Sequence, residues 1–240
     1  MGLTKWSKTT GVVITAMAAF VAVVLYSPAS RAVDAEVVLQ QQCVQCHDLT
    51  GTGPTTLEEL WAQKGPNLSY AGNKYKQAWL EKWLAAPSRI RPAGMYYGNH
   101  IKPGPDHDVV DETTLSKHLA LGADEAKAVA ASLMKRKARS DLIKAGAYVP
   151  GKISLRMGEL MFVKFRGCLS CHQIEPGYGG ASGPEVYTVA RRLQEDYIIS
   201  FLQDPQAWSP LVFMPRYHLK DTDLQKFVHY FRGLAEEDFQ

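Results

Sequence analysis

Two pairs of cysteines, each followed at once by a histidine, are the residues in this sequence best suited to chemistry. They occupy residues 43–47 (CVQCH) and 168–172 (CLSCH), and the chain has no other cysteine. Two thiols separated by two residues can add across the two vinyl groups of one haem, and the following histidine then binds the iron from below. The sequence therefore predicts two covalently bound haem c groups. The predicted attachment residues are Cys43, Cys46, Cys168 and Cys171, and the predicted proximal ligands are His47 and His172.

A haem that only carries electrons needs a second axial ligand, and methionine in that position raises the redox potential. Met214 lies on a proline-containing stretch just ahead of the last predicted helix, and Met95 is its counterpart in the first half of the chain. Both are predicted to be distal ligands. For the first iron, three histidines in or near the segment that follows Met95 are alternatives: His100, His107 and His118.

An internal duplication follows residue 33. When Gly65-Pro66 is aligned with Gly183-Pro184, an offset of 118 (183 minus 65) brings Trp79 onto Tyr197 and Trp83 onto Phe201 without a gap. The first half also has an insertion over residues 96–117, and a Gly- and Pro-containing connector over residues 138–152 separates the halves. The predicted organisation is an N-terminal apolar segment over 1–33 and two domains over 34–145 and 146–240.

Two other uses of paired cysteines compete with haem attachment. A disulfide across two residues is typical of redox-active sites, which usually lie beside a thioredoxin-like strand pattern that is missing here. A shared zinc ion would need the two pairs to lie close together, whereas they belong to separate repeats. Their matching positions in a duplicated sequence favour haem over both.

Apolar residues at helical spacing predict helices over residues 77–85, 124–137, 155–165, 195–202 and 221–234. Pro87 and Pro205 end two of them, Gly167 suits the end of a third, and Asp221 is the predicted N-cap of the last. No segment has the alternation typical of a strand.

The N-terminus carries a signal for export. Lys5 and Lys8 precede an uncharged apolar run over residues 11–26, which predicts that the rest of the chain lies outside the cytoplasm. Ser30-Arg31-Ala32 suits cleavage by a signal peptidase, but the run is long for a signal core. A retained single-pass anchor in the inner membrane, with the haem domains in the periplasm, is the preferred interpretation.

Composition is that of an ordinary globular protein, with 46% hydrophobic and 21% charged residues. The net charge of +3 is small for 240 residues. A nucleic-acid-binding domain needs a concentrated basic face, so no nucleic-acid partner is expected.

The order of these motifs resembles class I cytochromes c, and specifically tandem-domain bacterial dihaem cytochromes, over residues 36–234. The resemblance implies an all-α fold with two tandem cytochrome c-like helical domains, each around one covalent haem, after a single N-terminal apolar helix. It also implies that the carbonyls of Pro66 and Pro184 accept hydrogen bonds from the proximal histidines. Gly158 and Phe162 should pack on the last helix near Phe227 and Tyr230. The first half departs from the pattern, since its opening helix has no matching glycine and aromatic residue and its methionine is followed by tyrosine rather than proline.

Electron transfer is the function that these features predict. By analogy with cytochrome subunits of respiratory complexes, the chain would carry electrons between a membrane redox complex, such as a bc-type quinol oxidoreductase or a terminal oxidase, and another soluble or membrane cytochrome. Such a subunit performs no substrate chemistry of its own. The alternative is a dihaem enzyme, a peroxidase or a thiosulfate-oxidising cytochrome, with one open haem site.

Overall fold

Helices dominate the described part of the protein, as the sequence predicts. The computed structural model describes residues 1–4 and 34–239, and those from residue 34 onward fall in one compact unit. The helices are α1 (Ala35–Val38), α2 (Leu57–Trp61), α3 (Ala71–Lys74), α4 (Gln77–Ala85), α5 (Ala123–Leu133), α6 (Leu155–Leu160), α7 (Val189–Arg192), α8 (Glu195–Gln203), α9 (Pro205–Trp208) and α10 (Asp221–Leu234).

Two short antiparallel hairpins are the strands in these described residues. They pair β1 (Ile101–Lys102) with β2 (Val109–Val110) and β3 (Gln173–Glu175) with β4 (Tyr178–Gly179). The prediction of no strand is therefore wrong at these places. Strands of two or three residues are too short to show an alternating apolar pattern, so the sequence gives no signal for them.

Two successive helices recur at the offset that the duplication predicts. Helix α3 maps onto α7 and α4 maps onto α8 with the same offset of 118 at both ends, since 71 and 189, like 77 and 195, differ by that number. A stacked aromatic pair recurs at the same positions. Trp79 and Trp83 have ring centres 5.6 Å apart, and Tyr197 and Phe201 have ring centres 5.8 Å apart.

Each opening helix ends in a π-helical turn that reaches or closely precedes its first cysteine. In the first half α1 continues into a π turn over Leu39–Cys43, and in the second half α6 continues into one over Met161–Phe165. The helix predicted over 155–165 is thus helical throughout, with its last five residues widened. Gly167 then leaves the helix with a φ of 64°, a left-handed conformation that favours glycine.

The closing helices differ in how well their bounds are predicted. Helix α10 spans the predicted residues 221–234, although Lys220 and not Asp221 is its N-cap. Helix α5 ends at Leu133, four residues before the predicted end. The residues beyond it bond elsewhere, because Arg136 O accepts a hydrogen bond from Gly72 N at 2.8 Å and Ala138 N donates to Ser69 O at 3.0 Å.

The two repeats meet through a pair of equivalent segments. Lys76 N donates to Arg192 O at 2.8 Å, and Gln194 N donates to Lys74 O at 2.9 Å. With the offset of 118, residue 76 corresponds to 194 and residue 74 to 192, so each bond maps onto the other. This is the reciprocal pattern of a two-fold interface, here between two halves of one chain.

Side chains extend the same symmetry. Lys76 Nζ donates to Ala190 O at 2.9 Å, and Gln194 Nε2 donates to Gly72 O at 2.8 Å. Residues 190 and 72 again differ by 118. Each repeat therefore supplies a side-chain donor to a carbonyl in the short helix of the other repeat.

The predicted N-terminal anchor, residues 11–26, and the possible cleavage site at Ser30-Arg31-Ala32 lie outside the described residues. Within the ranges 1–4 and 34–239, no helix has the length and apolar character needed to cross a membrane.

Candidate functional sites

Each cysteine pair and its histidine lie on one hydrogen-bonded turn. His47 N and Cys46 N both donate to Cys43 O, at 2.9 and 3.1 Å. The second segment repeats both bonds, with His172 N and Cys171 N donating to Cys168 O at 3.1 and 3.2 Å. The two segments therefore offer their thiols and imidazole with the same local backbone, as attachment of the same group would require.

No disulfide joins any of the four cysteines. Burial raises the pKa of the Cys168 thiol to about 11 and also raises the pKa of Cys43. A redox-active CxxC pair depends instead on a thiol whose pKa is lowered, so the raised pKa values of Cys43 and Cys168 do not favour a disulfide oxidoreductase. Among the described residues, no group of three or more His, Cys, Asp or Glu side chains is placed to hold a metal ion, which gives a shared zinc site no support.

The predicted contact of each proximal histidine with a proline carbonyl is confirmed. His47 Nδ1 donates to Pro66 O at 2.8 Å, and His172 Nδ1 donates to Pro184 O at 2.7 Å. Because a carbonyl can only accept, the proton must lie on Nδ1. In the neutral ring Nε2 then carries the lone pair that can bind a metal.

Glycines preceding these prolines allow the close approach of the imidazoles. A Cβ at Gly65 would lie 2.5 Å from His47 Cε1, and a Cβ at Gly183 would lie 2.6 Å from His172 Cε1. Both distances are far below van der Waals contact. The Gly-Pro pair thus acts as one unit in each repeat, in which glycine makes room for the ring and proline orients it.

The surroundings favour the neutral, metal-binding form of both histidines. Burial is the main cause of the lowered pKa of His47, and the nearby charges of His118 and Lys74 lower it further against the Pro66 carbonyl, which raises it. Burial likewise lowers the pKa of His172, helped by Arg91 and Arg192.

Both predicted methionine ligands lie half-buried on loops. Gln206 Nε2 donates to Met214 O at 2.7 Å and fixes the backbone ahead of α10. Met95 follows a loop that bonds to the other repeat, since Ala93 N donates to Ala181 O at 3.2 Å.

Of the three alternative histidines, the structure brings one close to His47, the predicted proximal ligand of the first iron. The ring centres of His118 and His47 are 6.1 Å apart. His100 is bonded through Nδ1 to Thr114 Oγ1 at 2.8 Å, and His107 is exposed between β1 and β2.

Three buried tyrosines lie between the repeats with two partly buried cations, Lys74 and Arg91, and the sequence gives no signal for this grouping. Lys74 Nζ lies 5.9, 5.0 and 5.8 Å from the ring centres of Tyr70, Tyr75 and Tyr197. Burial lowers the pKa of Lys74, and the charge of Arg91 lowers it further. Within the described part of the chain, neither cation has a salt bridge to a carboxylate. Lys74 and Arg91 are 17 positions apart in the sequence (91 minus 74), so only the fold brings them together.

These cations provide a test of whether the residues fit haem. A partly buried cation without a carboxylate is stabilised by another anion nearby. Lys74 is close enough to His47, and Arg91 to His172, to lower the pKa of each imidazole. Haem carries propionate carboxylates at the edge of its ring, so one cation beside each candidate proximal ligand fits the group that the cysteines predict.

No protein-family model, curated protein or solved structure matches the chain. The functional argument therefore depends on the geometry of the two sites.

Proposed function

We propose that this chain is a dihaem cytochrome c, tethered to the inner membrane by its N-terminal segment, that passes electrons between a membrane redox complex and another cytochrome. In this proposal its two repeats are cytochrome c-like domains, with the haem groups in the periplasm. The observation that supports it most strongly is the recurrence of one ligand-presenting unit in both repeats. That unit consists of a CxxCH turn, a Gly-Pro pair beside the histidine ring, and a stacked aromatic pair on the following helix.

Bound haem supplies reversible one-electron transfer between ferrous and ferric iron. The chain's part is to attach, orient and shield that group. The four cysteines would form the thioether bonds, and His47 and His172 would present Nε2 to the irons because their Nδ1 protons are held by Pro66 and Pro184. The aromatic pairs on α4 and α8 exclude water, and Lys74 and Arg91 offset the propionate charge.

The two-fold contact between the repeats supports a role in which both sites work together. Backbone and side-chain hydrogen bonds fix residues 72–76 against residues 190–194, and Lys74, which has no salt bridge among the described residues, lies at this same contact. A fixed spacing between two redox groups allows an electron to pass from one to the other without a conformational change.

Counting haem in matched variants tests this proposal. The full chain is produced with a cytochrome c maturation system, and haem per chain is measured as the pyridine haemochrome. We expect two haems in the native sequence, one in Cys43→Ala/Cys46→Ala and one in Cys168→Ala/Cys171→Ala. The purified protein should be reduced and reoxidised reversibly and should not turn over added peroxide.

Two results would contradict the proposal. Absence of covalent haem from the native chain would remove its basis. Steady consumption of peroxide by the dihaem protein would favour the enzyme class over electron transfer.

A further inference from the structure

The ring of His118 stands at the distance from His47 that a shared metal requires. Because a metal–imidazole bond is about 2.0 Å long, two imidazoles that bind one metal from opposite sides have ring centres about 6 Å apart. The ring centres of His47 and His118 are 6.1 Å apart.

Both rings also have the same nitrogen engaged. His47 Nδ1 is bonded to Pro66 O, and His118 Nδ1 is bonded to Leu119 O at 2.7 Å. Each carbonyl holds a proton on Nδ1, and neither Nε2 has a hydrogen-bond partner among the described residues. A carbonyl on the outer nitrogen is the usual device that fixes the tautomer of a metal-binding histidine.

A neighbouring side chain holds the ring of His118 in place. The indole of Trp83 packs against it with ring centres 4.6 Å apart, and Trp83 Nε1 is itself fixed by Ser88 O at 2.9 Å. Trp83 belongs to the aromatic pair on α4. The same helix therefore shields the first site and positions His118.

The position of His118 along the chain also resembles that of the predicted distal ligand Met214. His118 lies three residues before the buried Leu121, at the approach to α5, as Met214 lies five residues before Leu219 at the approach to α10. Met95, in contrast, comes directly after the loop that bonds to the second repeat through Ala93.

We propose that His118, and not Met95, is the distal ligand of the first iron, so that the chain has one bis-histidine site and one His/Met site. This rests on the proposed function. Methionine raises the potential relative to a second histidine, so the first site is the lower in potential. An electron then passes from ferrous iron at the first site to ferric iron at the second, which oxidises one and reduces the other, with no bond formed or broken.

Absorption and electron paramagnetic resonance spectra of single-ligand variants of the dihaem protein test this inference. A ferric His/Met haem has a weak absorption band at about 695 nm that a bis-histidine haem lacks. We expect the native protein to show this band for one of its two haems. Met214→Leu should abolish it, Met95→Leu should leave it unchanged, and His118→Gln should convert one low-spin haem to the high-spin form.

A rescue variant separates ligation from structural support. His118→Met should keep both haems low-spin and double the intensity of the 695 nm band, whereas a merely structural role for His118 predicts no second His/Met signal.

The inference is overturned if His118→Gln leaves both haems low-spin, or if Met95→Leu removes a His/Met signal. In either case a pyridine haemochrome count of two would leave the proposed function standing. A count of zero in the native chain would remove both.

Discussion

The opening and closing helices cross in both repeats, but different types of side-chain contact hold the two crossings together. In the second repeat Gly158 on α6 lies against Tyr230 on α10, and a Cβ at this glycine would lie 2.2 Å from the Tyr230 ring. The π turns start 122 residues apart (161 minus 39), so the first-repeat equivalent of Gly158 is Glu36. The closing helices start 98 residues apart (221 minus 123), so the equivalent of Tyr230 is Ser132. There the Ser132 hydroxyl donates to the Glu36 carboxylate, which also pairs with Arg136 at 2.8 Å.

Aromatic packing continues around the second crossing. The ring centre of Phe162 lies 6.4 Å from that of Phe227 and 6.1 Å from that of Tyr230. These distances confirm the predicted contact of Gly158 and Phe162 with the last helix. The equivalent of Phe162 in the first repeat is Gln40, which is exposed. One backbone arrangement is thus held by an apolar contact in one repeat and by a polar network in the other.

Charge at the contact between the repeats differs in the same way. Arg192 pairs with Glu185 at 3.2 Å, and both side chains are almost fully buried. The equivalents by the offset of 118 are Lys74 and Asn67. Asn67 Nδ2 donates instead to Asp48 Oδ2 at 2.7 Å, so Lys74 has no carboxylate in that position. The second repeat therefore supplies a carboxylate for Arg192, whereas the first leaves Lys74 available to an anionic group.

The largest effect is expected from Glu185→Gln. This change leaves the buried Arg192 without a carboxylate, and breaking such a pair costs about 3 kcal/mol or more in the free energy of unfolding. Guanidinium unfolding followed by circular dichroism measures it. The double variant Glu185→Gln/Arg192→Met should recover most of the loss, because no buried charge remains. A double variant as unstable as the single would show that the pair is not a closed unit.

A smaller loss is expected from Gly158→Ala. The new methyl group would meet the Tyr230 ring and force the two helices apart, at a cost of about 2 kcal/mol. Gly233→Ala on α10 is the matched control, since its nearest contact is the end of the flexible Leu155 side chain. The control should be neutral or slightly stabilising, as alanine favours helix. Equal stability of the two variants would mean that the close crossing at Gly158 is not required.

The smallest effect is expected at the polar crossing. Glu36→Ala removes the acceptor for the Ser132 hydroxyl and the partner of Arg136, and should cost about 1 kcal/mol. Glu36→Gln keeps an acceptor for Ser132 and should cost less. The difference between the two should shrink in high salt if Arg136 contributes through its charge. A loss at Glu36 that exceeds the loss at Gly158 would reverse the comparison.

Sequence patterns predict the long helices well and the contacts between repeats poorly. Helices α4 and α10 have the predicted bounds because their apolar residues follow helical spacing over two or more turns. Helix α5 is shorter than predicted because Arg136 and Ala138 bond to residues of the α3 region instead. The closeness of Lys74 to Arg91 had no signal in the sequence, since Lys74 ends α3, Arg91 lies on a loop beyond α4, and only the fold brings them together.

The predicted ligands of the two irons also differ in how well the sequence predicts their surroundings. The contacts of His47 and His172 with Pro66 and Pro184 were implied by the resemblance to class I cytochromes c, and they are confirmed. The distal side of the first site depends on where an insertion brings the chain back, and spacing alone leaves Met95, His100, His107 and His118 open. Only the 6.1 Å between the ring centres of His118 and His47, which the fold sets, favours His118 in our proposal.

Mass spectrometry of the cysteine-containing peptides tests the central claim most directly. After digestion of the full chain purified from a host that matures c-type cytochromes, the peptide with Cys43 and Cys46 and the peptide with Cys168 and Cys171 should each carry the mass of one haem. Peptides with unmodified thiols, or with a disulfide between the two cysteines of a pair, would contradict it.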